Sequence, residues 1–228
     1  MTDEHGYTLV ELLIGAMVSL MVLGAIMAMV QVSTRGQDRV SERVYANQRG
    51  RPAMNRIVDR LHSACVSPGL APVRENSTST SMILYSKSGN TVSPAPDKYV
   101  FTLSEGKITE SVALGSGSEP SAWTWGAPST PMALVDGIGS AQVGTPPATV
   151  PIFRYFAYAG GQVTTTPLPT PLSAENAAKV VQIDIAFTVA PYAGAASDPG
   201  AAITLSDSAT LRIEPASEDS AQVNLPCV

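Results

Sequence analysis

Side chains that commonly do covalent or metal chemistry are scarce in this 228-residue chain, which contains two histidines and two cysteines. His5 lies ahead of a long apolar run, so a Ser-His-Asp arrangement for acyl transfer would hang entirely on His62. Cys65 and Cys227 form no C-x-x-C, so neither a dithiol redox motif nor a zinc site is indicated. In an oxidising compartment the two can pair and pin the C-terminus to the end of a helix. A closed loop of about 160 residues would be worth roughly 5 kcal/mol in the chain-entropy picture. The other reading is two separate buried thiols. There is no Walker A loop, no H-E-x-x-H and no Ca2+ loop. Asn76-Ser77-Thr78 is a formal glycosylation sequon, and Asp136-Gly137 reads as turn chemistry. The inventory predicts no enzyme, no cofactor and no metal.

One carboxylate stands apart by its position. The junction reads Gly6-Tyr7-Thr8-Leu9-Val10-Glu11-Leu12-Leu13, and residues 12–30 behind it are LLIGAMVSLMVLGAIMAMV, with nothing more polar than Ser19. An acid at the mouth of such a helix is costly, about 2.5–3.5 kcal/mol at mid-membrane and less near the edge, so it asks for a partner. Two kinds of partner fit. Thr8 and Glu11 have the S/T-x-x-E spacing of a capping box, and an acid there suits the positive end of the helix dipole. The alternative is a positive charge from outside the helix, because opposite charges in a low-dielectric setting attract strongly and each is costly alone.

The element that positions Glu11 is long enough to cross a bilayer. Residues 12–30 as a helix span roughly 29 Å, against a hydrocarbon core of about 30 Å. A helix buried in a soluble core would show a polar stripe, and this one has none. The stretch ahead of it, MTDEHG, is acidic, and no small-x-small site follows Val30 before Arg35, so ordinary signal-peptide cleavage is not expected. Charge is segregated along the chain: residues 1–34 carry −3, residues 35–60 carry +4 with seven arginines, and residues 61–228 carry −6. The positive-inside rule taken alone would keep the arginines cytoplasmic, whereas the cysteines favour export.

Residues 31–65 continue without strand signals. Val40, Val44, Met54, Ile57, Leu61 and Cys65 recur near helical spacing, and Arg35, Arg39 and Arg43 form an i, i+4 row. Gly50-Arg51-Pro52 is expected to bend or interrupt this helix. With no aromatics interleaved, the Arg35–Arg60 region reads as a solvated helix face rather than a platform for nucleic acid, and no nucleic-acid partner is expected. Beyond residue 66 the β signals are 81–87, 98–103 and 107–112 around Ser104-Glu105-Gly106, then 132–135, 151–159, 180–189 and the pair 203–205 and 210–213. Gly-, Pro-, Ser- and Thr-rich linkers are read at 113–131, 140–150 and 160–174. The expected fold is α+β, a long N-terminal helix packed on a mostly antiparallel sheet.

GYTLVELL followed by about twenty apolar residues resembles the cleavage and methylation signature of type IV prepilins and type II secretion pseudopilins. The succession ALVDGI, FRYFAY, VVQIDIAFTV and TLRIE is similar to the C-terminal half of W-type minor pilins and J-type pseudopilins. The resemblance implies that a prepilin peptidase cuts between Gly6 and Tyr7 and methylates Tyr7. It implies that Glu11 pairs with the N-terminal amine of a neighbouring subunit during assembly. The implied organisation is a leader at 1–6, a transmembrane and assembly helix at 7–33, a soluble stem at 34–65 and a β-rich head at 66–228. The implied partners are the peptidase, other pilin subunits and membrane lipid along residues 12–30. The chain would begin as a single-pass protein of the cytoplasmic membrane with its head outside, then enter a surface or periplasmic filament. Leaders in this family commonly carry Lys or Arg where this one has Asp3, Glu4 and His5. Many members also have a proline within the apolar helix, and none occurs here before Pro52. Gly15-xxx-Ser19 and Gly24-xxx-Ala28 offer small surfaces for lateral packing. The rival from another class is a membrane-anchored ligand-binding protein, an adhesin or sensor, that forms no filament.

Overall fold

The computed structural model describes residues 8–65, 70–87, 94–191 and 202–211. The chain divides into two compact units, residues 1–42 and 43–228, and the helix α1 (Leu9–His62) contributes to both. In the first unit every residue from 8 to 41 is exposed, including Leu9, Leu12, Leu20 and Met29 at 68–81%. It is a helix long and apolar enough to cross a membrane.

The second unit is built on antiparallel strands. They are β1 (Ser81–Ser86), β2 (Asp97–Ser104), β3 (Lys107–Ala113), β4 (Gly115–Ser116), β5 (Thr124–Trp125) and β6 (Met132–Asp136), then β7 (Ile138–Val143), β8 (Ala148–Val150), β9 (Phe153–Ala159), β10 (Gln162–Val163), β11 (Val180–Val189) and β12 (Ile203–Thr210). A short helix, α2 (Ala174–Ala178), precedes β11 and is capped by the Ser173 side chain, which accepts from Asn176 N at 3.2 Å. One sheet runs β1-β2-β3-β6. The larger sheet runs β10-β9-β11-β7-β8, with β12 also paired to β11. The fold is α+β.

Alternation explains which faces close. In β11, Ile183, Ile185, Phe187 and Val189 point inward, as do Phe153 and Tyr155 of β9. Met82 and Leu84 of β1, Tyr99 and Phe101 of β2 and Ile108 of β3 supply the facing layer. The C-terminal part of α1 packs into the same core, its buried residues being Ala46, Gly50, Ala53, Met54, Ile57 and Leu61. That spacing is one helical stripe. Ser104 and Lys107 pair across a two-residue turn in which Glu105 and Gly106 have φ of 52° and 68°, the backbone that tightens an antiparallel hairpin.

Several sequence expectations are corrected. α1 is not interrupted at Gly50-Arg51-Pro52. Pro52 lies on the exposed side, where water can satisfy the carbonyl it leaves unpaired, and Gly50 serves packing instead. A Cβ at Gly50 would lie 2.5 Å from Leu205 Cδ1 and 2.6 Å from Val189 Cγ2, so the missing side chain lets the helix approach β11 and β12. Val40 and Val44 do not join the buried stripe, being 63% and 50% exposed. The supposed linker 140–150 holds most of the β7–β8 hairpin, and 113–131 holds β4 and β5. The expected pair 203–205 and 210–213 is a single strand, β12, because Ser206, Asp207 and Ser208 pair with β11 through their backbones despite their polar side chains; residues 212–213 lie outside the described residues.

Candidate functional site

Glu11 stands in the first turn of α1, and Thr8 closes a reciprocal box around it. Thr8 N and Thr8 Oγ1 each donate to Glu11 Oε2 at 3.1 Å, and Glu11 N donates to Thr8 Oγ1 at 3.3 Å. Leu12 N donates to Thr8 O at 3.2 Å, completing the opening turn. The capping alternative is therefore realised within the chain, on an exposed carboxylate. The residues of the cleavage and methylation reading, Gly6 and Tyr7, lie outside the described residues. Further along, Ser19 Oγ donates to Gly15 O at 2.8 Å, so the one polar side chain of the apolar run is satisfied by its own helix. A Cβ at Gly15 or Gly24 would meet nothing within 4 Å, which leaves both positions open to a neighbouring helix.

The arginines divide sharply. Arg49 reaches from α1 to the ends of both sheets: its Nη1 donates to the carbonyls of Ala190 and Pro191 at 3.1 and 3.0 Å, and its Nη2 meets the Asp136 carboxylate and donates to Asp136 O at 3.3 Å. Arg56 Nε donates to Glu110 Oε2 at 3.1 Å. Arg60 Nε lies 3.4 Å from Glu110 Oε1, an ion pair without a hydrogen bond, and its guanidinium sits 4.3 Å over the Tyr99 ring. Glu110 is 2% exposed, so its charge depends on these cations. Arg51 is held on the exposed face by Asn47 at 2.9 Å. Arg35, Arg39 and Arg43 are exposed.

Cys65 is fully buried beside Tyr85, Ala95 and Trp123, and its sulfur is in a disulfide rather than free; Cys227 lies outside the described residues. Trp125 stacks on Tyr85 at 4.5 Å and donates from Nε1 to Pro96 O at 2.9 Å. Burial pushes the Tyr85 phenol above its ordinary value, with Arg74 pulling the other way. Tyr155, fully buried, donates to Thr78 O at 3.0 Å, and burial raises its phenol far above the usual 10. His62 is exposed at the end of α1, with no hydrogen bond or ion pair to a nucleophile or carboxylate among the described residues. Asn76 occupies a left-handed turn at φ 67°, and Gly137, at φ 68°, links β6 to β7. Among the described residues no three His, Cys, Asp or Glu side chains gather as a metal site.

Glu110 and the Arg154–Asp184 pair at 3.1 Å were not picked out from sequence, and Asp136 was read there as turn chemistry rather than as the partner of Arg49. A signal existed for Glu110, since it occupies an inward position of the alternating run Ile108, Glu110, Val112. An acid there demands a cation, and the helix offers Arg56 and Arg60 four residues apart. Comparison with protein-family models, curated proteins and solved structures returned no match to this chain.

Proposed function

We propose that this chain is a structural subunit, a minor pilin or pseudopilin, of a type IV pilus-like or type II secretion-like filament, cut after Gly6 and methylated at Tyr7. The observation that carries the reading is the register of GYTLVE against α1, with Glu11 in the first turn of a helix whose apolar side chains from Leu9 to Val40 are all exposed in the isolated chain. Such a helix is stable only in lipid or against other apolar helices. The capping box holds Glu11 Oε2 in place at the helix mouth. Severing the chain at Tyr7 places a new ammonium a few residues away on each copy, a charge that a neighbour's Glu11 can neutralise in a low-dielectric setting. The same pairing sets the axial register of helices whose other contacts are non-directional. In this reading the membrane is the cytoplasmic one, the head is extracytoplasmic, the chain is not a catalyst, and Cys65 pairs with Cys227.

A specific observation favours the anchored-receptor alternative: Glu11 finds a partner inside its own chain and does not require a second subunit. The two readings separate by intact mass and N-terminal sequence of the membrane-extracted protein from its native host. The filament reading expects a start at Tyr7 with one added methyl group. A start at Met1 or Thr2 in a host with active prepilin peptidase would sink it. Glu11→Ala should then abolish filament incorporation while leaving the head folded.

A further inference from the structure

The outer face of the larger sheet carries a hollow formed by β9, β11 and β12. Cross-strand register builds it. Asp184 of β11 lies opposite Arg154 of β9 on one side and Ser208 of β12 on the other, and Ala186 lies opposite Ser206. Small side chains at 186, 206 and 208, beside the longer Arg154 and Gln182, leave a recess of about 470 Å³. Asp184 is pinned at its centre: Oδ2 accepts from Arg154 at 3.1 Å and Oδ1 accepts from Gln182 at 2.9 Å. Each oxygen keeps a further lone pair. Around it stand unused donors and acceptors. Arg154 Nε is shielded from solvent without a hydrogen-bond partner, and neither the Ser206 nor the Ser208 hydroxyl is hydrogen-bonded. Four residues along β9 on the same face, roughly 14 Å away, Tyr158 exposes 61% of its surface. Its hydroxyl donates to Gly161 O at 2.7 Å, which fixes the ring before any ligand arrives.

The charge balance selects the ligand class. Arg154 is already neutralised by Asp184, so the recess carries no surplus positive charge, which disfavours anions. The recess mixes hydroxyl, amide and charged groups with the apolar surface of Ile185 and Ala186, a combination that suits a ligand carrying both hydroxyls and C–H faces. Vicinal hydroxyls match it, since one can donate to a carboxylate oxygen while the next accepts from a serine or from Arg154 Nε. We propose that this face binds a neutral oligosaccharide, with Tyr158 stacking on one sugar ring and the Arg154–Asp184–Ser208 row hydrogen-bonding a residue further along the same chain. The site stands whether or not the chain assembles into a filament.

The test is saturation-transfer NMR on the full chain in lipid nanodiscs, with cellotetraose, maltotetraose and chitotetraose each at ~5 mM, a range suited to weak binding. Transfer to at least one of them is expected. Tyr158→Ala removes the stacking ring and Ser208→Val fills the recess, and each should weaken binding about tenfold or more. Thr204→Val, on the same face of β12 but outside the recess, should leave binding unchanged, and all three variants should keep the parent's thermal midpoint. Absence of transfer to all three sugars would overturn the site. So would transfer that survives both Tyr158→Ala and Ser208→Val, or stronger binding of a sulfated tetrasaccharide, which would mark an anion site instead.

Discussion

The two stretches of α1 solve opposite problems with one backbone geometry. Residues 12–30 are apolar around the whole circumference and bury none of it, while residues 43–62 bury one stripe and leave polar groups on the rest. Their acids differ in the same way. Glu11 is exposed and held by the turn it starts, and Glu110, across from the second stretch, is 2% exposed and held by Arg56 and Arg60. Their glycines differ too: Gly15, Gly24 and Gly36 face open space, whereas Gly50 is pressed against Val189 and Leu205. A helix without a stripe must find its solvent outside its own fold, and a helix with one becomes the core of a domain.

The largest expected effect breaks the comparison at its acids. Glu110→Ala leaves Arg60, 12% exposed, without its carboxylate and should cost the β unit about 3 kcal/mol, read as a lowered urea midpoint. Glu11→Ala removes only an exposed cap, about 1 kcal/mol of helix initiation, and should leave that midpoint in place. Equal shifts for the two variants would show that the distinction is wrong.

The glycines give a smaller pair with opposite signs. Gly50→Ala forces Leu205 and Val189 aside, an overpacking cost of about 1–3 kcal/mol against about 1 kcal/mol of helix propensity gained. A lower thermal midpoint is expected. Gly36→Ala meets nothing within 4 Å, so it should raise helix stability by about 0.5–1 kcal/mol, measured as slower amide exchange across residues 32–40.

An effect of similar size concerns Tyr155. Its folded phenol titrates above the ordinary 10, so the unfolded chain loses its proton first as pH rises. The contribution is complete below pH ~10 and is lost progressively above it. Tyr155→Phe should cost about 1 kcal/mol at neutral pH through the lost bond to Thr78 O, and should flatten the alkaline fall in stability. An unchanged alkaline slope would place the pH sensitivity elsewhere, with Tyr85 the next residue to replace.

Much of the fold was legible because local patterns act locally. The span of residues 12–30, the capping box and the Glu105-Gly106 turn all follow from composition or from spacing within a few residues. β11 was read with its observed ends because ten consecutive residues favour a strand. The β7–β8 hairpin was missed because Gly, Ser, Ala and Thr carry little strand preference, and its pairing with β11 supplies what the residues lack. Pro52 misled for the reverse reason, since a local helix breaker was overridden by the burial of Ala53, Met54 and Ile57 in the core.

The sequence by itself determined that the chain has an apolar helix able to cross a bilayer, that Glu11 stands at its mouth, and that an antiparallel body follows. Those properties reside in short stretches and need no partner. Only the tertiary structure decided which arginines are paired across the fold, because Arg49, Arg56 and Arg60 look like Arg35, Arg39 and Arg43 until Asp136 and Glu110 arrive from strands fifty or more residues away. The recess on β9, β11 and β12 likewise exists only after register sets Arg154, Asp184 and Ser208 side by side. Charge pairing and cross-strand neighbours are distances in space, and chain order does not encode them until the strands have met.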